Sequence, residues 1–364
     1  QELSSQEWEE VWQIWERAIS RGIGLRVSAG YGQPIKHQEN CLLSVHLRGQ
    51  GLASKLINDE GEFRPNLFKA TLRGHTLRLL GGVTNQATAE KLTKQIWGSF
   101  AGAEGAIVGQ VGISFEAVNL NLSLFTYTPD YNPVNMPIFN LKEGRLDILI
   151  MKEVTDIQKM NLQSLLTRLI KFSLLLGGFG KSWRRSDHRL FYPDYLKNDD
   201  KPVIGCHWRL LKNFPQYGVV VNQLQDVTIF LNDCHSFIQR FVRTRGEQLN
   251  GNVSNWREAF HPDRVQVWGR FAEDKSDSHA IYWFHKNYQG ANTIKGSSLT
   301  GQLGQIGRIW HRMYSHFEKQ DKKIVLTGKY VELLTIFPDN SPASNQFLEF
   351  LENSRDFTLL WPLH

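Results

Sequence analysis

Residues 160–189 read MNLQSLLTRLIKFSLLLGGFGKSWRRSDHR. Apolar residues recur at helical spacing through the first half, so Met160 to Leu176 is predicted as a helix. That helix runs into three glycines, Gly177, Gly178 and Gly180, and then into Lys181, Trp183, Arg184, Arg185, His188 and Arg189. Glycines let a backbone approach a partner closely, and clustered Lys and Arg attract a phosphate backbone. The same residues also suit a helix C-cap followed by a solvated basic strand. Gly180-Lys181-Ser182 invites comparison with a nucleotide-binding P-loop. That motif needs a glycine where Leu175 stands, with a strand before the loop and a helix after it. Here the helix comes first, so nucleotide hydrolysis is not expected at this loop.

The flanking elements give this helix its place. Cys41 to Leu47 alternates like a strand, and Asn66 to Leu80 carries Phe68, Leu72, Leu77 and Leu80 at helical spacing. Val118 to Leu124 alternates strictly and predicts a half-buried strand; Leu146 to Met151 and Gly205 to Leu211 are further strands. The resulting order, β-α-β-β-α-β, predicts an α+β fold of the ferredoxin-like, RRM-type arrangement. Residues 126–143 hold Tyr127, Pro129, Tyr131, Pro133 and Pro137, which favour an extended, thumb-like insertion over a helix.

Ser4 to Ile19 reads as an amphipathic helix with a Ser4/Glu7 capping box. Its face of Trp8, Val11, Trp12 and Trp15 is expected to pack into a core. The loop Gly22 to Gly32, which carries Arg26, follows it. A helix and then a glycine-arginine loop thus occurs twice, as in an internal repeat. Residues 1–34 are therefore read as a helix and glycine-rich loop, fitting the end of a preceding unit. Residues 35–212 form the main unit and 213–262 a connector, with a helix around Asp233 to Val242. Residues 263–364 are read as a second, degenerate unit. It is predicted to comprise strands at Val265 to Phe271 and Ile281 to His285, and a helix at Leu299 to Phe317 despite Gly301, Gly304 and Gly307. Strands over Lys323 to Phe337, a helix at Gln346 to Asn353 and a strand at Phe357 to Leu360 complete it.

Composition narrows the function classes. A length of 364 residues fits two domains or one large domain with insertions, and 41% hydrophobic residues suffice for real cores. A formal charge of +6 suits a basic groove or patch better than a histone-like tail. Cys41, Cys206 and Cys234 are far apart, which argues against a cysteine zinc site or a disulfide framework and favours a reducing cytoplasm. Arg168 and Lys171 inside the most apolar helix argue against a membrane span. Gln1 is not an initiator residue, so the natural N-terminus is expected upstream.

Asp59 to Arg73, DEGEFRPNLFKATLR, resembles a segment of the RAMP superfamily, the repeat-associated CRISPR proteins. That segment runs acidic-x-x-Gly, Pro, then small-x-Leu-Lys-Gly-x-Leu-Arg, and opens the first helix. Lys295-Gly296-Ser297-Ser298-Leu299-Thr300-Gly301 is a partial second copy, with Lys295 where proline is common and Thr300 in place of lysine. Gly177 to Arg185 resembles the family's glycine-rich loop. The likeness covers about 40–212, and 260–364 more weakly.

The resemblance implies ferredoxin-like units assembled along a guide RNA. Within the family the chain is most similar to a backbone-type or end-capping subunit of a type III CRISPR effector. Its implied partners are guide RNA, target RNA and other effector subunits. The implied RNA contacts are Arg26, Arg64, Lys69, Arg73, Gly177, Gly178, Gly180, Lys181, Trp183, Arg184, Arg185, His188, Lys295, Ser297 and Ser298. Lys69 and Arg73 are four apart and share a helical face, and the Asn66 and Leu67 amides at the helix start suit a phosphate. A guide held by phosphates and 2′-hydroxyls keeps its bases free to pair.

Many backbone subunits of that family cut target RNA with an aspartate after the first strand. Counting back from Asp59 places that position at Ala53, and Arg48 to Lys55 contains no carboxylate. A noncatalytic RNA-binding role without a cofactor is therefore expected. Two alternatives stay open: an Mg-dependent endoribonuclease using Asp59, with Glu60 or Glu62 as substitutes, and a small-molecule enzyme on a ferredoxin-like core. His311 and His316 are five apart and do not share the face of a helical metal site.

Overall fold

The structure, a computed structural model, describes residues 3–20, 22–34, 40–100, 105–127, 133–180, 206–249, 253–274, 276–301, 305–321 and 323–363. The first helix, α1 (Ser5–Ser20), starts at the expected capping box: Ser4 N donates to Glu7 Oε2 at 2.7 Å and Glu7 N to Ser4 Oγ at 3.3 Å. None of its residues is buried. Among the described residues Trp8, Trp12 and Trp15 therefore join no core, contrary to their expected role.

The first sheet grows from β1 (Cys41–Leu52). Two short hairpins follow in the chain, β2 (Ser54–Lys55) with β3 (Gly61–Glu62) and β4 (Ser99–Phe100) with β5 (Ala106–Ile107). The long strands β6 (Val111–Tyr127) and β7 (Val134–Ile150) and the short β8 (Cys206–Leu210) complete the sheet. Its order is β6-β7-β1-β8, and every pairing is antiparallel. Helices α2 (Asn66–Gly81) and α3 (Gln86–Trp97) lie between the first and second strands, and α4 (Asp156–Phe172) lies between the third and fourth. Phe68 and Leu72 of α2 and Leu162, Leu165 and Leu169 of α4 share one buried core with Val45, Leu47, Ile113 and Ile148. The leucines at three- and four-residue spacing give α4 one continuous apolar stripe.

Thr155 and Gln158 form a capping box at the start of α4. Beyond Phe172 the helix widens into a π turn over Ser173–Gly177, where Gly178 N reaches the Ser173 carbonyl. Gly178 then adopts φ +65°, a conformation glycine tolerates without a Cβ clash, and the helix stops. Leu174, Leu175 and Leu176 are all buried, because this turn is enclosed from every side.

Between the two sheets the chain forms a short helix α5 (Phe214–Tyr217) and the long helix α6 (Gln225–Thr244). The second sheet comprises β9 (Gln266–Ala272), β10 (Ile309–Gln320), β11 (Lys323–Ile336) and β12 (Thr358–Trp361). Its order is β10-β11-β9-β12, again antiparallel throughout, so the spatial order second, third, first, fourth recurs. Helices α7 (His279–His285) and α8 (Pro342–Asn353) take the two connecting positions.

Two expectations for this half are corrected. Ile281 to His285 is helix, not strand. Ser278 caps α7 by accepting from Ile281 N, and the Glu332 carboxylate accepts from the His279 and Ala280 N–H groups. A short apolar run does not distinguish strand from helix by periodicity, and here the cap decides. The described residues of Leu299 to Phe317 are not helical: Gly301 turns the chain at φ +76°, and β10 starts at Ile309. Trp310 and Tyr314 of β10 enter the first core, while Ile309 enters a second core beside Trp283, Phe284 and Phe347. A strand covered on both faces loses the polar alternation that would mark it.

The edge strand β6 contains the alternating segment Val118 to Leu124, but Val118, Leu122 and Leu124 remain exposed rather than half-buried. The hairpin of β6 and β7 spans the ends of the expected thumb, and its tip, residues 128–132, lies outside the described residues.

Candidate nucleic-acid interface

The first half of α2 is the centre of the predicted interface. The loop from Gly22 to Gly32 closes through Ile23 N to Gly32 O at 2.8 Å. It is fastened to the sheet by Ile113 N donating to Ser28 O at 3.1 Å. Arg26 stands exposed in this loop at φ +61°. Lys69 Nζ donates to Ser28 Oγ at 2.7 Å, which joins the loop to α2. Arg73 lies one turn further along the same face.

Lys69 is half-buried, and burial, with Arg73 beside it, lowers its pKa to about 8. Among the described residues neither Lys69 nor Arg73 makes an ion pair with a carboxylate. Two neighbouring cations without an anion form a local positive field, suited to a phosphate. Arg64 differs, because it is ion-paired with Glu62 and its own pKa is raised by that hydrogen bond. The Leu67 amide is also engaged, with the Arg64 carbonyl at 3.2 Å.

The second glycine loop reaches α2 from another side. Gly180 N donates to Thr71 Oγ1 at 3.0 Å, and His75 Nε2 lies 3.4 Å from Gly178 O. A Cβ on Gly177 would fall 2.1 Å from the His75 ring, so only glycine fits there. Between these glycines Phe179 is buried against Phe68 and Trp208, which anchors the loop in the core. At about 100° per residue, Thr71 and His75 lie nearly opposite Lys69 and Arg73 on the helix. The two glycine loops therefore clasp α2 from opposite faces, and the described part of the second does not face Lys69 and Arg73. Lys181, Trp183, Arg184, Arg185 and His188 lie outside the described residues.

Thr71 and His75 were not among the expected contacts. Their signal is a polar pair, four residues apart, on a helix face that is otherwise apolar; buried polar groups usually have partners. The Arg312 contribution had no signal in its own neighbourhood. Arg312 Nε donates to Leu174 O at 2.9 Å and its Nη2 to Trp208 O at 3.0 Å, bracing the turn that precedes Gly177. Burial lowers its pKa to about 10, so it stays charged at neutral pH.

The partial second copy sits elsewhere, between α7 and β10 and beside the start of α8. Ser297 Oγ donates to Ile294 O at 2.7 Å, and Ser298 Oγ lies 3.4 Å from Ser341 Oγ at the α8 cap. Both serines thus serve the turn, while Lys295 beside them is exposed. Asp59 occupies the turn of the β2–β3 hairpin at φ +67°, with Lys55 Nζ at 2.7 Å. Ala53 N donates to Pro137 O at 2.9 Å. Among the described residues no group of three or more His, Cys, Asp or Glu side chains is arranged to hold a metal ion. No helix among them is long and apolar enough to cross a membrane.

No family model matches the chain, and no curated protein matches it. Among solved structures it is similar to the crystal structure of Cmr1 from Pyrococcus furiosus in its apo form, at 10% identity and a TM-score of 0.44, covering 87% of this chain and 98% of that one.

Proposed function

We propose that this chain is a noncatalytic RNA-binding subunit of a type III CRISPR effector complex. It grips the guide RNA by its phosphates and helps to display the bases for pairing with target RNA. The observation that carries this reading is the Lys69–Arg73 pair, two adjacent cations without a carboxylate partner among the described residues, tied through Ser28 to a glycine loop that bears Arg26. An RNA phosphate supplies the charge this pair lacks.

Other features support the reading. The chain order β-α-β-β-α-β occurs twice with one spatial order, which fits two ferredoxin-like, RAMP-type units at 35–212 and 263–364 joined by the connector 213–262. The segment at 59–73 resembles the superfamily's helix-opening motif and leads into α2, whereas the partial copy at 295–301 shares the sequence pattern but forms a turn. The absence of a carboxylate from Arg48 to Lys55 favours binding without cleavage. In this role the chain needs no cofactor, works in the cytoplasm, and has other effector subunits as neighbours. Magnesium enters only in a cleavage role for Asp59.

The test is equilibrium binding of a labelled single-stranded RNA by anisotropy across a salt series. Single-strand binding loses about 0.7 in log–log salt slope for each phosphate contact removed. Lys69→Ala with Arg73→Ala should therefore weaken binding and flatten that slope. An unchanged affinity and slope would sink the proposal.

A further inference from the structure

Helix α1 is amphipathic, yet among the described residues it buries none of its own side chains. Trp8, Trp12 and Trp15 are 48%, 56% and 57% exposed, and Val11 is exposed beside them. Advancing about 100° per residue, Trp8, Val11, Trp12, Trp15 and Ile19 fall on a single stripe. This is the i, i+3, i+4, i+7 pattern of a helix that lays its apolar face into a groove. Trp8 and Trp12 already stack on each other, with ring centroids 6.4 Å apart. Tryptophans so placed are the residue type that dominates binding energy at protein interfaces.

The charges choose among possible occupants. The helix carries Glu7, Glu9, Glu10 and Glu16 against a single Arg17. By the same geometry Glu9 and Glu16 border one side of the stripe and Glu7 the other. RNA would meet those carboxylates with its own phosphates. An anionic lipid surface calls for Lys and Arg on the polar face, and here the polar face is acidic. A second copy of α1 would bring the same acidic border against this one.

We infer that α1 is a docking helix for another protein, whose apolar groove is bordered by Lys and Arg side chains that meet Glu7, Glu9 and Glu16. The tryptophans supply the affinity and the acidic borders supply orientation and selection against wrong partners. Because α1 lends no buried residue to the body, this role is separable from RNA binding by Lys69 and Arg73.

The experiment places photo-crosslinking benzoylphenylalanine at position 12 or 15 of the full chain and isolates the complex from its own cells through a tag on this chain. Crosslinked peptides are then mapped by mass spectrometry. Both positions should join one segment of a different protein, with Lys or Arg bordering apolar side chains. Glu9→Lys with Glu16→Lys should cut the yield about tenfold or more, since like charges across an interface cost several kcal/mol. The melting temperature should stay unchanged. Crosslinks to this chain, to RNA or to lipid, crosslinks to a segment without basic residues, or no crosslink at all would overturn the inference.

Discussion

The Arg312 guanidinium of β10 donates to the Leu174 carbonyl in the π turn before Gly177, at 2.9 Å, across the boundary between the two sheets. One side chain of the second half thus holds the base of the glycine loop of the first. Replacing it leaves the Leu174 and Trp208 carbonyls without this donor in a buried place. Hydrogen bonds to charged groups contribute about 1.5–3 kcal/mol each, so Arg312→Leu should lower stability by about 3 kcal/mol. Urea unfolding would measure it. A variant as stable as the parent would show that the brace is dispensable.

Gly177 and His75 are packed with no room for a methyl group between them. Gly177→Ala should cost about 1–3 kcal/mol by overpacking. Adding His75→Ala makes space, so the double variant should recover part of the loss from Gly177→Ala relative to His75→Ala alone. A thermal double-mutant cycle reads this coupling, and strictly additive effects would contradict the contact.

Burial, and then Arg73, hold the Lys69 pKa down at about 8 in the free protein. A bound phosphate favours its charged form, so binding takes up a proton near that pH. RNA affinity should therefore fall as pH rises from about 7 to about 9. Lys69→Arg should remove that slope, because a guanidinium does not titrate there. The same shift bears on folding with the opposite trend. The folded state gives up this proton before the unfolded one, so this group makes stability rise as pH climbs from about 8 towards 10.5. Anisotropy at several pH values separates the first effect from the second.

Glu332 is fully buried in the second half. Burial raises its pKa, but hydrogen bonds with His311, Ser278 and Arg270 outweigh that and hold it at about 2, against an ordinary 4.5. A depressed carboxylate stabilises the fold above its unfolded value, and that contribution is lost as pH falls from about 4.5 to about 2. At neutral pH it is on the order of 3 kcal/mol. Glu332→Gln should destabilise the protein at pH 7 and flatten its unfolding curve over that acid window. Equal acid sensitivity in both proteins would refute the assignment.

Asp59 adopts a turn conformation and pairs with Lys55, which suits a hairpin rather than a reaction centre. Asp59→Ala should leave target RNA intact to the same extent as the parent in the assembled complex with Mg²⁺. Loss of a cut on that substitution would make this chain a nuclease.

Local signals were legible without a structure. Helix α1 begins at Ser4 and Glu7, α2 and α4 fall where helical periodicity puts them, and β1 and β8 fall on their apolar strands. Each depends on side chains only a few residues apart, so sequence spacing carries the physics. Tertiary packing decided the rest. It covered the first half of β10 on both faces and so erased its alternation there, and it made Ile281 to His285 helical under a cap completed by Glu332, far along the chain. It left the Trp8, Trp12 and Trp15 stripe bare, although the same stripe would read identically if buried. It joined Lys69 to Ser28, set the two glycine loops on opposite faces of α2, and brought Arg312 to Leu174. An apolar pattern tells how much surface a segment must hide; only the folded chain determines which surface covers it and which charged group arrives from afar.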